Sequence, residues 1–138
     1  MYTSIVIAAA LFNEGATTRA ALEKARKLLS AGGKVTLVHV IDEIPGYVAA
    51  AIPQSQISAR RKDVEDQLAA IAAEFSDIAV EAVIRQGQPS ASILGCAQEA
   101  AADLIMIASH KPGLSDYFIG STAARIVRHA QVSVLVTR

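Results

Sequence analysis

The fold of this chain is decided by residues 104–122, which read LIMIASHKPGLSDYFIGST. The apolar run at 104–107 predicts a buried strand, and residues 123–130 predict a short helix. Between them lies a polar loop that contains Gly and Pro, so the stretch has the order strand, loop, helix.

The start of that helix is suited to an anion. Gly120, Ser121 and Thr122 are small residues, and the first amides of a helix have no intrahelical partner. These amides and the helix dipole favour phosphate, Gly120 permits close approach, and the two hydroxyls can donate to oxygen. The alternative is that Gly, Ser and Thr only cap the helix. Neither a Walker loop nor a Gly-x-Gly-x-x-Gly fingerprint occurs.

Composition indicates one globular domain over residues 1–138. Apolar residues make up 52% of the chain and charged residues 19%, and the formal net charge is zero. A chain without basic excess is not expected to bind nucleic acid or an anionic membrane. The single cysteine, Cys96, excludes an internal disulfide, and it is expected to be a buried or half-buried residue of a helix. We find no secretory leader or membrane span, which favours a cytoplasmic protein.

Strands and helices alternate along the whole chain. Strands are predicted at 3–10, 34–41, 78–84, 104–107 and 131–138, and helices at 16–31, at 55–75, from the turn 87–90 onward and at 123–130. Gly32 and Gly33 are interpreted as the end of the first helix, and Ser58 as a cap of the second. Pro89 fits an early position of the third helix, which Ser90 or Ser92 could help to cap. This alternation predicts an α/β fold with one open sheet of five parallel strands between two helical layers.

The strand order 3-2-1-4-5 would make this a Rossmann-like sheet. Ligands bind such sheets beyond the carboxyl ends of the strands, where the strand order reverses. The reversal then lies between the first and fourth strands, next to the loop that precedes Gly120. The sequence feature and the fold rule select the same place.

Three further features have two interpretations each. His39 is a candidate ligand, but no metal-ligand spacing surrounds it, and a packed histidine is favoured. The connection 42–54 contains Tyr47, Val48 and Ile52, which either shield a ligand or a dimer surface or form a bare flap. The basic run 60–62 is followed by acids, which favours a solvated helix face.

The chain resembles the universal stress protein family over essentially its whole length. The matching pieces are IVI at 5–7, LVHVI at 37–41, GQP at 87–89, DLIMIASH at 103–110, GS at 120–121, VRHA at 127–130 and VSVLV at 132–136. This resemblance implies the fold above, of the adenine nucleotide alpha hydrolase-like type. The run Ser-His-Lys-Pro at 109–112 is similar to the Ser-His-Arg-Pro form of a short-loop subgroup associated with nucleotide binding.

The resemblance implies an ATP site, or an ADP site, with Mg²⁺ on the phosphates. ATP-binding members carry Gly-x-x-Gly-x9-Gly-Ser/Thr; here Ala108 and Lys111 replace the first two glycines, and the loop is one residue shorter. ATP-binding members usually carry an Asp after the first strand, near the adenine and ribose. Here Ala10 stands at that position, so a polar partner for the nucleoside would have to come from Asn13 or Glu14. The candidate nucleotide-binding residues are Ala8, Ala10, Val40, Ala108, Ser109, His110, Lys111, Gly120, Ser121 and Thr122.

The last strand predicts a homodimer. Val132, Val134 and Val136 alternate with Ser133, Leu135 and Thr137 in a strand whose apolar edge would otherwise stay open. The alternative is an edge closed by a helix or by the connection 42–54. The resemblance implies pairing of the C-terminal strands of two subunits.

Three functions remain open at this point. The first is a nucleotide-binding regulatory module in stress response, acting on an unknown protein partner. The second is a nucleotide-independent dimeric interaction protein. The third is an enzyme, at most a slow ATPase. No catalytic triad or carboxylate pair supports the third function.

Overall fold

The computed structural model describes residues 1–109 and 119–138. His110 and Lys111 therefore lie outside the described residues. The strands are β1 (Tyr2–Ala8), β2 (Leu29–Ile41), β3 (Ala79–Gln86), β4 (Leu104–Ala108) and β5 (Ser133–Thr137). The helices are α1 (Ala16–Leu28), α2 (Gly46–Ala49), α3 (Gln54–Ala73), α4 (Pro89–Glu99) and α5 (Ser121–His129), with a 3-10 turn at Phe12–Gly15.

The five strands form one parallel sheet in the order β3-β2-β1-β4-β5, which confirms the predicted order. Alternate residues of each central strand point to opposite faces. Ile5 and Ile7 pack with α1 and α3 on one face, while Val6 packs with α4 and α5 on the other. Burial on both faces explains why these strands are continuous apolar runs.

Asp103, the residue before β4, connects the amino end of β4 to the amino end of β1 through hydrogen bonds. Its carboxylate accepts the backbone N–H of Thr3 at 3.0 Å and that of Ser4 at 3.0 Å. It also accepts the Thr3 hydroxyl at 3.2 Å, and the Ser4 hydroxyl donates to the Ala100 carbonyl at 2.9 Å. The hydrogen bonds that Thr3 and Ser4 donate to the carboxylate favour its charged form and lower the pKa of Asp103 below its ordinary value of 3.8.

We expect Asp103→Asn to reduce the decrease in the free energy of unfolding as the pH is lowered. A depressed folded pKa contributes stability that is present above pH 3.8 and is lost as the pH falls through the folded pKa. Urea unfolding between pH 6 and pH 2.5 should therefore show a shallower slope in Asp103→Asn than in the unchanged chain. Asp63→Asn, on the exposed part of α3, removes the same charge elsewhere and should keep the full slope. Identical slopes in all three proteins would contradict this account of Asp103.

The prediction that Gly32 and Gly33 end the first helix is wrong. α1 ends at Leu28, and β2 begins at Leu29, which has φ −78° and ψ 131°. Between Tyr2 and Ser4 the pairing of β1 with β2 shifts its register, and the two glycines lie in the irregular part of β2. A Cβ on Gly33 would lie 2.9 Å from the Thr3 carbonyl, so this glycine permits close strand approach.

Helix starts also differ from the sequence prediction. α3 begins at Gln54 after Pro53, without a side-chain cap, so Ser58 is not its cap. At α4, the Gln88 side chain accepts the Ala91 N–H at 2.7 Å, and Ser90 donates to Gln88 instead of capping. The predicted early position of Pro89 is confirmed.

The first half of α3 contributes no buried residue. The buried residues of this helix are Val64, Leu68 and Ile71, and none lies at 54–63. Ten residues of helix span about 15 Å, so a substantial length of α3 at its amino end lies outside the core. No helix among the described residues is long and apolar enough to cross a membrane.

Candidate functional site

A cleft of about 730 Å³ lies at the carboxyl ends of β1, β2 and β4. The connection after β1 leads to α1 on one face of the sheet, and α5 lies on the other face. Because the connections after β1 and β4 lead to opposite faces of the sheet, an open crevice remains between these two strands, as the strand order requires. The volume is in the range of small-molecule sites.

The cleft floor is apolar. It is formed by strand ends and by the start of α4, and it has no charged side chain. The floor residues are Ala8, Ala9, Ala10, Leu11, Phe12, Val38, Val40, Ile107, Ala108, Pro89 and Ile93. Such a floor fits the flat face of a base or another uncharged ring.

One side of the cleft is the amino end of α5, where Gly120, Ser121 and Thr122 line the cavity. Gly120 is the N-cap residue, and Ser121 and Thr122 are the first two residues of the helix. In an α-helix, the amides of the first turn have no carbonyl partner within the helix. Both residues therefore offer N–H donors and hydroxyls next to the cavity.

Gly120 has a different role from the predicted one. Its N–H is not free, because it donates to the Ser109 carbonyl at 2.5 Å. A Cβ at Gly120 would lie 2.6 Å from that same carbonyl oxygen. The glycine is thus required by the approach of the α5 start to the end of β4, whether or not a phosphate is bound.

Ser109 connects three elements at the cleft. Its N–H donates to the Thr137 carbonyl of β5 at 2.8 Å, and its carbonyl accepts from Gly120. The residue is 3% exposed, and its Oγ has no hydrogen-bond partner among the residues that the structure describes. A buried hydroxyl without a partner costs about 1–3 kcal/mol, which a ligand oxygen would recover.

The opposite side of the cleft, the β2 rim, consists of His39, Asp42 and Arg60. Burial lowers the pKa of His39, and the nearby charge of Arg60 lowers it further. The hydrogen bond with the Ala9 carbonyl, at 3.4 Å, and the charge of Asp42 raise the pKa, but the net shift is downward. The lowered pKa keeps His39 neutral at pH 7. His39 is half-buried and lies next to the Ala9 carbonyl, as expected of a packed histidine, and it also lines the cleft.

Sequence reasoning missed Arg60, which it assigned to a solvated helix face. Its neighbours fit that interpretation, since Arg61 lies 3.5 Å from Glu65 and Lys62 lies 3.4 Å from Asp66. Four residues after Arg60 stands buried Val64 in place of an acid. The missing acid at the fourth position was the available signal that Arg60 differs from the other two cations.

The turn after β1 does not bring an acid into the cleft. Asn13 and Glu14 have left-handed backbone conformations, with φ of 53° and 56°, and neither lines the cavity. Exposed Tyr47 and half-buried Val48 and Ile52 are absent from its lining as well. Within residues 1–109 and 119–138, no group of three His, Cys, Asp or Glu side chains could hold a metal ion.

The structure brings eight of the ten candidate residues to this one cleft. They are Ala8, Ala10, Val40, Ala108, Ser109, Gly120, Ser121 and Thr122. His110 and Lys111 lie outside the described residues.

Comparison with known proteins agrees with this architecture. The sequence model described as the universal stress protein family matches residues 1–138. The chain belongs to this family. Universal stress protein G of Shigella flexneri is 27% identical over 146 residues, which cover 100% of this chain and 100% of the relative.

Two solved structures of the family illustrate the shared fold. Universal stress protein UspA from Lactobacillus plantarum is 22% identical with a TM-score of 0.72, covering 99% of this chain and 98% of the other. The universal stress protein from Archaeoglobus fulgidus in complex with dAMP is 22% identical with a TM-score of 0.63, at coverages of 99% and 98%. At these identities, the likeness supports the fold alone.

Proposed function

We propose that this universal stress protein is a regulatory module in stress response that binds an adenine nucleotide, ATP or ADP. The observation that carries the proposal is the buried Ser109 Oγ, which has no hydrogen-bond partner within residues 1–109 and 119–138 and lies next to the amino end of α5 in a cleft of suitable size. The choice of an adenine ligand follows the universal stress protein from Archaeoglobus fulgidus, which has the same fold and whose structure is a complex with dAMP.

The two sides of the cleft suggest the orientation of the nucleotide. The phosphates are placed at Ser121 and Thr122, where amide donors, hydroxyls and the helix dipole favour negative charge. The adenine is placed over the apolar floor near Ala10 and Val40. Mg²⁺ accompanies the phosphates, since it binds protein sites mainly through substrate phosphates and water.

Two parts of the proposal rest on sequence. His110 and Lys111 are assigned to the phosphate end from the Ser-His-Lys-Pro run at 109–112. The same run supports membership of the short-loop nucleotide-binding subgroup.

The decisive experiment is calorimetry of the unchanged protein with Mg-ATP, combined with a thermal shift measurement. We expect saturable binding to one site per chain and a raised melting temperature, because a ligand that binds only the folded state stabilises it. Absence of heat and of a thermal shift at millimolar ATP would favour the nucleotide-independent interaction protein instead.

We further propose a homodimer that pairs two copies of β5. The sheet has two edges: β3 carries the charges of Glu81 and Arg85, which discourage pairing, whereas β5 carries no charge over Ser133–Thr137. Val127 and Val132, beside this edge, are 50% and 36% exposed. Light scattering at micromolar concentration should give twice the chain mass of 14.5 kDa, and a monomer would reject the pairing.

A further inference from the structure

The β2 rim holds one unpaired charge of each sign. Asp42 and Arg60 are exposed residues, and both line the cleft. Within residues 1–109 and 119–138, neither side chain forms a hydrogen bond or an ion pair, and the two are not paired with each other. The third rim residue, His39, is neutral. A carboxylate and a guanidinium that share a rim without pairing offer an acceptor and a donor to a ligand.

Asp42 lies above the apolar floor at its β2 end. Ala8 pairs with Val38, and continuing this register places Ala10 level with Val40. Asp42 follows Val40 by two residues, which at the rise of a strand carries the chain roughly 6–7 Å beyond that level. A flat ring that lies on the floor therefore meets the rim with its edge and not with its face.

The rim is at the opposite end of the cleft from the proposed phosphate position. Ser121 begins α5 after β4, and the strand order places β1 between β4 and β2. The distance from β4 to β2 is two strand spacings, about 10 Å. In a nucleotide the sugar joins the base to the phosphates, so phosphates at α5 place the sugar over β1. The edge of the base that points away from the sugar then faces the β2 rim.

That edge of adenine carries one donor and one acceptor side by side. The 6-amino group donates, and an ionised carboxylate such as Asp42 can only accept. The ring nitrogen N1 accepts, and a guanidinium such as Arg60 can only donate. Guanine has the opposite order on this edge, with a carbonyl oxygen at position 6 and an N–H at position 1.

We propose that Asp42 accepts a hydrogen bond from the 6-amino group of adenine and that Arg60 donates to N1, so that the β2 rim selects the base. This inference rests on the adenine-nucleotide binding proposed above and names the side chains that recognise the base. Hydrogen bonds to a charged group predict a preference of roughly tenfold or more. We expect about tenfold for each contact, because both residues are exposed and water competes for them.

The test of Asp42 compares ATP with purine riboside triphosphate, which has hydrogen in place of the 6-amino group, by calorimetry with Mg²⁺. The unchanged protein should bind ATP about tenfold more tightly. Asp42→Ala should remove this preference, and Asp42→Asn, which keeps an acceptor without the charge, should retain part of it. Because the preference is a ratio of two affinities, an effect of the lost charge on the phosphates of both compounds cancels.

The test of Arg60 compares ATP with 1-deaza-ATP, in which a C–H group replaces N1 and the 6-amino group is kept. The unchanged protein should again bind ATP about tenfold more tightly. Arg60→Ala should bind the two compounds equally. If Arg60 acted only on the phosphates, Arg60→Ala would weaken both compounds by the same factor and keep the preference, which would overturn the contact with N1.

Glu43→Ala and Arg61→Ala are the matched controls. Each replaces the exposed chain neighbour of a rim residue, which has the same charge and does not line the cleft, so both preferences should survive. Equal affinity of the unchanged protein for ATP and purine riboside triphosphate would overturn the base assignment and leave the proposed function intact. So would a full preference in Asp42→Ala. Tighter binding of GTP than of ATP would overturn the base assignment together with the choice of adenine, and no binding of any of these nucleotides would overturn both proposals.

Discussion

Replacing Ser121 by Asp is expected to abolish nucleotide binding while the protein stays folded and at least as stable. Ser121 is the exposed first residue of α5 and lines the cleft at the proposed phosphate position. A carboxylate there lies in the first turn, where negative charge stabilises a helix by about 0.3–1 kcal/mol. The same charge would face the phosphates of the ligand at contact distance.

The size of the effect follows from Coulomb's law. Two unit charges 4 Å apart repel by about 4 kcal/mol near a protein surface and about 1 kcal/mol in bulk water. Against a triphosphate, we expect an affinity loss of roughly 100-fold or more, as each 1.4 kcal/mol is a factor of ten. Calorimetry measures the loss, and thermal unfolding checks the fold.

Two control variants separate charge from size and from position. Ser121→Asn introduces a side chain of similar size without charge and should weaken binding far less than Asp. Ser58→Asp adds the same charge on the exposed part of α3, away from the cleft, and should leave binding unchanged. If Ser121→Asp binds Mg-ATP as well as the unchanged protein, the phosphates do not lie at α5.

Gly120→Val should destabilise the protein strongly. Gly120 has φ −61° and ψ 154°, a conformation open to any residue, so the cost comes from space and not from backbone strain. The added Cβ would meet the Ser109 carbonyl oxygen at 2.6 Å, and a backbone atom cannot rotate away as a side chain can. We expect a loss of about 3 kcal/mol in the free energy of unfolding, the upper part of the range for overpacking.

Gly95→Ala provides the opposite result at a matched position. A Cβ on Gly95, within α4, meets nothing within 4 Å. Alanine there should raise the free energy of unfolding by about 0.5–1 kcal/mol. Urea unfolding measures both variants. A Gly120→Val protein as stable as the unchanged chain would show that the junction between β4 and α5 has room for a side chain.

The fold was predictable because its signals are local and periodic. Ile5 and Val6 stand in an apolar run that only a strand buried on both faces requires, and they pack on opposite sides of the sheet. On α3, Val64, Leu68 and Ile71 recur at helical spacing and are all buried. Each pattern depends on its own segment, so neighbouring elements were not needed to interpret it.

The sequence predictions were wrong where one local sequence pattern is compatible with two different tertiary structures. A pair of glycines after a helical segment fits a helix end, but Gly32 and Gly33 lie in β2. The deciding contact at Gly33 is with Thr3, about thirty residues earlier in the chain. Likewise, the Gly120 N–H donates a hydrogen bond to the Ser109 carbonyl, a contact that no sequence pattern around Gly120 indicates.

The candidate site was predictable at its phosphate end and not at its β2 rim. Ser121 and Thr122 begin a helix after a buried strand, and the strand-order rule places that helix start at the cleft. Asp42 lines the cleft because β2 ends one residue before it, whereas Arg60 lines the cleft from α3. The side of α3 that faces the cleft depends on how the helix lies against the sheet, which no local pattern indicates, and the sequence placed the start of α3 one residue late and with the wrong cap.

The central position of β1 has a consequence for the order in which the chain folds. β1 pairs with β2 on one side, but its other side waits for β4, where Ile5 pairs with Leu104. At a synthesis rate of about 5–20 residues per second, this second edge stays unpaired for roughly 5 to 20 s after translation of β1. During that interval an apolar strand edge is open to wrong pairing, so the nascent chain is most prone to aggregation before residue 104 emerges.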